Sequence, residues 1–500
     1  MTPPARLGLA VLGAAVGLGL AGDLLLRAVP WGLNVFLCTL ALVASGAWLL
    51  RRGAIRPGPD APWLGLTALL LGAAFVRRDA TLLGAFYLMA LAATLALAAA
   101  AVRGVPIRRL GVAGYAAAGA RTALDLVTGG PRLLAAHVPW REVTEGGRLA
   151  RARGVGLGVL LAFPLLVVFG GLFMAADAVF DRMITTALRF DLGTVASHTF
   201  LFGLWATLAA GYLRGVALAP TARSPAAAPT TAGLGLTPVA TALVLLNGLF
   251  LLFVAVQLRY LFGGAELVQR TLGLTYAEYA RRGFLELVTA SGLVLPVLLG
   301  ADWTLRAAPP PQRRTLHRLA GVLLALLAVI VASGLERARL YVAAFGWSEI
   351  RLYATAGMVY FAGGFAWLAA TVLRDRRQRF AFGAFVQGLT VLGALHVLNP
   401  DAFIVRRNLE RPATARPFDA AYAVSLSGDA VPVLLDALPR LTPHDRCDVA
   451  TALLHRWGDA TGADWRTWNW GRARAHRLVA EHRPALASAC DPATIPKETP

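Results

Sequence analysis

The stretch ATLLGAFYLMALAATLALAAAAV, at residues 80–102, contains 23 residues and no charged side chain. A helix needs about 20 mostly apolar residues to cross the hydrocarbon core of a bilayer. A surface helix of a soluble protein would also carry a polar face, which this stretch lacks. The stretch therefore predicts a membrane-spanning helix, and similar stretches recur on both sides of it.

Composition extends this interpretation to the whole chain, because 57% of its 500 residues are hydrophobic and only 15% are charged. Soluble domains carry about 25% charged residues. Eleven apolar stretches are long enough to suggest spans: 7–26, 31–50, 62–76, 80–102, 154–176, 193–213, 237–258, 283–303, 318–335, 352–373 and 381–398. The predicted fold is all-α: a polytopic transmembrane helical bundle of about 11 helices with a small C-terminal α-helical extramembrane domain.

Charge and breaker residues divide the chain into four predicted segments. Residues 1–103 hold transmembrane helices 1–4, and 104–153 form a cytoplasmic amphipathic interfacial segment in which arginines are spread among alanine and leucine. Residues 154–398 hold transmembrane helices 5–11 with short loops. Residues 399–500 form an extracytoplasmic helical domain, in which Thr442 is a predicted N-cap with Asp445 three residues later.

Loop charge predicts the orientation. Acidic residues near the end of a span are counted here with the nearer loop. With the N-terminus in the cytoplasm, the inner segments carry 23 basic and six acidic residues. The outer loops then carry 12 basic and ten acidic residues. Positive charge accumulates on the cytoplasmic side of membrane proteins. The chain is therefore expected to be a multi-pass protein of the cell (inner) membrane with its N-terminus cytoplasmic and its C-terminus extracytoplasmic.

Common soluble enzyme signatures are absent from the sequence. There is no GxxxxGK[ST], HExxH or GxSxG motif and no metal-spaced set of cysteine and histidine, and Lys497 is the only lysine. No cofactor and no metal site are therefore expected. The net charge of +20 lies in short loops between apolar stretches, which indicates anionic lipid head groups rather than nucleic acid as the partner.

Three charged segments at the predicted outer boundary suggest a polar groove, because ionisable residues at membrane depth are costly. Glu278, Arg282 and Glu286 share one helical face, and Glu286 is the best single candidate. The candidate residues are Arg259, Tyr276, Glu278, Arg282, Glu286, Glu336, Arg337, Arg339, Glu349, Arg351 and Asp401. The alternative interpretation is interfacial anchoring, in which arginines reach the head groups and each glutamate pairs locally.

Cysteine and tryptophan single out the C-terminal tail. Cys447 and Cys490 are its only cysteines, and in an oxidising compartment they are predicted to form a disulfide. The alternative is two buried free thiols. Four tryptophans lie between residues 457 and 470, where they either anchor the core of the domain, dock it onto the membrane surface, or bind a ligand.

The motifs YAEYARRGFLEL, RLYVAAFGWSEIRLY, LNPDAFIVRRNL and DWRTWNW resemble bacterial polytopic membrane proteins catalogued as DUF4153 and DUF4173. The resemblance covers roughly residues 150–480 and does not separate the two groups. It implies a multi-pass inner-membrane protein and supplies no catalytic residue.

Three functional classes follow from these observations. The first is a non-enzymatic envelope scaffold or sensor that presents the tail outside to an envelope protein partner. The second is a transporter or permease, which predicts charges near the bilayer midplane and an internal repeat. The third is a membrane enzyme acting on a lipid-linked substrate, which predicts convergent acid and base groups in a cleft. The charges of this chain lie at the boundaries, which favours the first class.

Overall fold

The computed structural model describes residues 3–138, 192–219, 235–262, 284–412, 417–459 and 464–490, together with the isolated positions 169, 173, 174 and 177. Within these residues the chain forms 17 α-helices and no strand. Eight of these helices are long and apolar enough to cross a membrane. The predicted all-α, polytopic class is therefore confirmed, and the chain is an integral membrane protein.

The helices of the first 398 residues follow the predicted spans. They are α1 (Pro3–Leu26), α2 (Leu33–Arg52), α3 (Ala61–Arg77), α4 (Thr81–Val102), α5 (Val112–Ala136), α6 (Leu192–Ala217), α7 (Leu236–Phe262), α8 (Phe284–Thr304), α9 (Pro310–Phe345), α10 (Glu349–Thr371) and α11 (Phe380–Leu398). All but α5 coincide with a predicted span, and α5 lies in the amphipathic segment. The predicted span 154–176 lies outside the described residues.

The chain divides into two compact units. One comprises Met1–Leu69, Leu95–Gly104 and Ala117–Ala222, and the other comprises Leu70–Thr94, Val105–Ala116 and Arg223–Pro500. In the first unit α1 packs along α2 and α6 around buried Val11, Leu49 and Leu213. Its helices meet closely where a side chain is absent: a Cβ added to Gly129 of α5 would stand 2.6 Å from the Cα of Gly211 in α6.

The second unit contains α7–α11 and a C-terminal helical domain. Buried Leu243, Leu298, Leu323 and Leu368 bring α7, α8, α9 and α10 into one apolar core. Helix α9 has 36 residues and is therefore about 54 Å long, against about 30 Å for the hydrocarbon layer. The charged sequence after residue 335 thus continues the helix beyond the apolar layer instead of breaking it.

The C-terminal domain consists of short helices: α12 (Pro400–Leu409), α13 (Ala420–Ser425), α14 (Val431–Ala437), α15 (Pro443–Trp457), α16 (Trp470–Glu481) and α17 (Arg483–Ser488). Its core includes Leu434, Val449, Leu453 and Val479, and Leu352 of α10 is buried in the same cluster. Full burial of each such side chain is worth about 1.5–3 kcal/mol. The domain core is therefore continuous with the membrane helix beneath it.

Two local features hold α15 in place. Thr442 accepts a hydrogen bond from the Asp445 N–H at 3.2 Å, so the predicted N-cap is confirmed. The Thr442 hydroxyl also donates to Asp445 Oδ2 at 2.7 Å, which makes the pair a variant of the capping box. Cys447 in α15 is joined to Cys490, which follows α17, with a Cα–Cα distance of 4.6 Å. The bond links the fourth described helix of the domain to the residues that follow its sixth and last described helix.

Candidate functional site

A polar junction connects the loop between α3 and α4 to the C-terminal domain. We define it as Arg78, Asp79, Asp429, Asn469 and Arg472, all of which belong to the second unit. Asp79 accepts a hydrogen bond from the Gly428 N–H at 3.0 Å, and its own N–H donates to Asp429 Oδ2 at 2.8 Å. Each segment therefore donates a backbone N–H to the carboxylate of the other.

Asn469 joins two helix ends with one side chain. Its Oδ1 accepts from the Arg472 N–H at 3.1 Å and caps the start of α16. Its Nδ2 donates to the carbonyls of Phe75, at 2.7 Å, and Arg78, at 2.9 Å, at the end of α3. Because helix ends leave backbone groups unpaired, this buried amide satisfies groups that would otherwise face an apolar environment.

Arginines complete the junction. Arg472 donates to Asp79 and, at 2.5 Å, to the Thr467 carbonyl. Arg78 lies 3.8 Å from Asp429, and its Nε donates to the carbonyl of His396 at 2.8 Å, in the last turn of α11. One loop thus contacts the end of α11 and the start of α16 at the same time.

Burial shifts the pKa values of several charged groups at the junction and beside it. Burial raises the pKa of Asp429 to about 6, because desolvation outweighs the hydrogen bond from Asp79 and the attraction of Arg78. Burial also raises the pKa of Asp401, which is 1% exposed and accepts hydrogen bonds from the N–H and hydroxyl of Ser427. Desolvation lowers the pKa of Arg78. Asp429 therefore keeps its proton to a higher pH than an exposed aspartate does.

Two arginines at the predicted outer boundary donate hydrogen bonds to backbone carbonyls at the end of α9. Arg351 donates to the carbonyls of Phe345 and Gly346 at 3.3 and 2.5 Å, and its guanidinium lies 4.3 Å from the ring centre of Tyr341. Arg411 donates to the carbonyls of Ala343 and Ala344, each at 2.9 Å. These arginines act on unpaired C-terminal carbonyls, in a region where positive charge is also favoured by the helix dipole.

The sequence candidates are only partly brought together. Glu336 and Arg339 form an exposed local pair with contacts of 2.6 and 2.8 Å, and Arg337 is buried in α9. The Glu349 N–H donates to the Tyr422 hydroxyl, and Glu349 and Asp401 lie close enough to repel each other. Tyr276, Glu278 and Arg282 lie outside the described residues, as do the side chains of Arg259 and Glu286. The groove therefore stays a prediction.

An apolar cavity of about 400 Å³ lies between α4, α10 and α11 of the second unit. Its walls include Phe86, Met89, Tyr353, Tyr360 and Phe385. These positions all fall in helices that are suited to cross the membrane. The cavity can accommodate a hydrocarbon chain, but its described lining offers no pair of acid and base groups.

Sequence analysis did not identify the junction. Asp79 lies 350 or more positions from Asp429 and Asn469, and although Asn469 belongs to the motif DWRTWNW, no role is assigned to it there. The available signals were a charged Arg-Arg-Asp turn between two apolar helices and a single asparagine between two tryptophans. Within the described residues no group of three or more histidine, cysteine or acidic side chains is arranged to bind a metal ion.

A family model described as "Domain of unknown function (DUF4153)" matches residues 65–437, well over half of the chain. The matched region begins in α3 and ends in α14, so it contains both the α3–α4 loop and Asp429. No curated protein and no solved structure matches the chain.

Proposed function

The chain belongs to the DUF4153 family, and because that family is described only as a domain of unknown function, we propose a role from the geometry of the chain itself. The protein acts as a non-enzymatic scaffold or sensor of the inner membrane. It presents its C-terminal helical domain outside, in a fixed position, to an envelope protein partner. The observation that carries this proposal is the polar junction.

The junction supports a fixed domain because its bonds are directional and mostly buried. Asn469 is 1% exposed and Asp429 is 6% exposed. Breaking these contacts would leave buried donors and acceptors unpaired, at about 1–3 kcal/mol for each group. Leu352 adds an apolar contact between α10 and the domain core. A domain held in this way keeps one orientation on its membrane helices.

The use of the boundary charges also favours a scaffold over an enzyme. A catalytic cleft needs groups that remain available to a substrate. Here Arg351 and Arg411 bond the carbonyls at the end of α9, and Asp401 bonds Ser427. These side chains act on the protein itself, so their presence at the boundary has a structural explanation.

The proposed orientation places the N-terminus in the cytoplasm and the domain outside. It is supported by the excess of positive charge in the predicted inner loops. The junction adds a second argument, because the α3–α4 loop and the domain must lie on one side of the membrane. The predicted topology meets this condition, since eight spans separate residue 80 from residue 398.

Alkylation with a reagent that cannot cross the membrane tests the orientation in intact cells. Cys38 is replaced by Ala, so that Cys447 and Cys490 are the only targets. If the domain lies outside in an oxidising compartment, both cysteines react only after reduction. The control is a Cys447→Ser variant, whose remaining thiol should react without a reductant. Absence of labelling in intact cells even after reduction, with labelling after lysis and reduction, would place the domain inside.

Photo-cross-linking in cells tests the scaffold role. A photoreactive residue replaces His444, which is well exposed at the start of α15. We expect one discrete adduct with an envelope protein. The adduct should persist in Glu349→Gln, which alters a candidate groove residue, and should be lost in Asn469→Ala, which breaks the junction. No adduct at His444 or at neighbouring Asp448, in a protein of normal abundance, would contradict the proposal.

The apolar cavity favours one alternative, a membrane enzyme that acts on a lipid-linked substrate. Gly357 lines the cavity, and a Cβ added there would meet no atom within 4 Å. A Gly357→Leu variant should therefore fill the cavity and displace a bound lipid, as measured by mass spectrometry of the purified protein. Gly364→Leu, at an equally open position of α10 outside the cavity lining, is the matched control.

A further inference from the structure

Three tryptophans of the domain are exposed, although large apolar side chains are usually buried. Trp465, Trp468 and Trp470 are 62%, 42% and 47% exposed, whereas Trp457 is buried in the domain core. Trp465 begins a short 3₁₀ turn, Trp465–Thr467, and Trp468 follows that turn directly. The exposed rings therefore form a continuous stretch before and at the start of α16.

Hydrogen bonds fix this stretch at the ends of two membrane helices. Asn469, between Trp468 and Trp470, donates to the carbonyls of Phe75 and Arg78 at the end of α3. Arg78 in turn donates to the His396 carbonyl near the end of α11. The neighbouring Val397 is 79% exposed, as expected for a side chain that faces lipid. The tryptophans thus lie at the level where apolar helices meet water.

Positive charge extends along α16 from the same place. Arg474 and Arg477 are exposed and follow Trp470 at intervals of four and seven residues, so all three share one helical face. Arg477 lies 6.0 Å from the Trp470 ring centre, and within the described residues neither arginine forms an ion pair. Tryptophan prefers the head-group level of a bilayer, and arginine binds lipid phosphate.

We propose that Trp465, Trp468 and Trp470, with Arg474 and Arg477, form a membrane-docking surface that inserts into the phospholipid head-group layer of the same bilayer. The indole rings lie among the glycerol and upper acyl groups, and the guanidinium groups bind phosphate. This surface goes beyond the scaffold role, because it would hold the domain at the lipid surface whether or not a protein partner exists.

The test uses the full chain, with Cys38 replaced by Ala, in nanodiscs of phosphatidylcholine and phosphatidylglycerol. A single thiol introduced by Trp468→Cys carries an environment-sensitive fluorophore, and His444→Cys is the exposed control on another helix of the domain. Emission is compared in ordinary and brominated lipids, and then with iodide in the water phase. A label at position 468 should lose emission in brominated lipid and resist iodide, and the control should do the reverse.

Equal lipid quenching at the two positions, or iodide quenching at 468 alone, would overturn the proposal and leave the tryptophans as a surface for a protein. Intrinsic fluorescence provides a second measurement without a label. The combined variant Trp465→Phe, Trp468→Phe, Trp470→Phe should lose part of the bromolipid-sensitive tryptophan emission of the parent protein. An unchanged sensitive fraction in a folded variant would also overturn it.

Discussion

The two units each contain a buried cluster of arginine and aspartate, and the clusters differ in their charge balance. In the first unit Asp125 of α5 meets Arg103 at 2.9 Å and Arg214 at 3.9 Å. In the second unit Asp79 and Asp429, with Asp401 nearby, face Arg78 and Arg472. The first cluster has more arginines than carboxylates, whereas the junction has two of each, and Asp401 nearby is itself attracted by Arg456.

This difference determines how each cluster responds to its surroundings. The main vulnerability of a buried carboxylate held by two arginines is the loss of a partner. At the junction, desolvation raises the pKa of Asp429, and the charges of Asp79 and Asp401 raise it further. The first cluster is therefore expected to be sensitive to mutation, and the second to be sensitive to both mutation and pH.

The largest effect is expected from Arg103→Ala. The change removes the closest partner of Asp125 and leaves a buried carboxylate beside the more distant Arg214. Breaking such a pair costs about 3–5 kcal/mol. We expect the detergent-solubilised protein to unfold at a clearly lower temperature, measured by the fluorescence of a fused reporter during heating.

A matched control distinguishes the loss of the ion pair from the loss of an arginine side chain as such. Arg109 lies on the same predicted cytoplasmic side and is exposed, so Arg109→Ala should leave the unfolding temperature nearly unchanged. The triple variant Arg103→Met, Asp125→Leu, Arg214→Met removes all three charges and should recover much of the loss. If the triple variant is no more stable than Arg103→Ala, the ion pair is not the reason for the destabilisation.

The second effect is a pH dependence that originates at the junction. The pKa of Asp429 is raised from 3.8 to about 6 in the folded protein. The folded state therefore binds this proton more strongly, and the stabilisation is fully present below pH 3.8 and is lost as pH rises to about 6. The shift corresponds to about 2–3 kcal/mol.

Thermal unfolding of the full chain at pH 4 and pH 6.5 measures this effect, with Asp429→Asn as the comparison. Asparagine is neutral at both values and can still accept the Asp79 N–H. We expect the difference in stability between the two pH values to shrink but not vanish, because burial also raises the pKa of Asp401. If both proteins show the same dependence of stability on pH, protonation of Asp429 does not stabilise the junction.

A local loss is expected from Asn469→Ala. Two carbonyls at the end of α3 and the Arg472 N–H lose their partner, and each of these groups costs about 1–3 kcal/mol wherever water does not replace the lost bond. The loss should appear locally as faster hydrogen exchange in residues 75–80 and 469–473, with little change in α9. Thr442→Ala, which removes a cap elsewhere in the domain, is the control and should not accelerate exchange at residues 75–80.

The membrane helices and the junction differ in how far the sequence predicts them. A span is a local property, because about 20 consecutive apolar residues are enough to indicate it. Residues 80–102 therefore correspond to Thr81–Val102 almost residue for residue. The capping box of α15 is equally local, since Thr442 and Asp445 are three positions apart.

The junction is a property of the folded chain alone. The contact between Asp79 and Asp429 depends on the arrangement of every helix between them. The outer segments with the most charge predict a groove, and that groove stays a prediction. The decisive polar residues are single ones, such as Asn469 among tryptophans, and their burial cannot be read from their neighbours. The sequence of this chain therefore predicts its helices, but it does not predict the contacts between them.

The smallest effect is expected at the charged pair that sequence analysis placed in the groove. Glu336 and Arg339 are 39% and 68% exposed at their side chains, and the pair lies within a single helical turn of α9. Exposed pairs of this kind gain little, because water screens the charges and both side chains lose conformational freedom. We expect Glu336→Gln to leave the unfolding temperature within the error of the reporter assay.

The same variant also distinguishes the two interpretations of the outer boundary. If Glu336 only pairs with Arg339, Glu336→Gln should leave both the stability and the cross-link at position 444 unchanged. Asn469→Ala should lower both, since it breaks buried bonds between α3 and the domain. If a Glu336→Gln protein of normal stability loses the cross-link at position 444, the exposed carboxylate has a role of its own. The groove would then become the functional site, and the junction would be only its support.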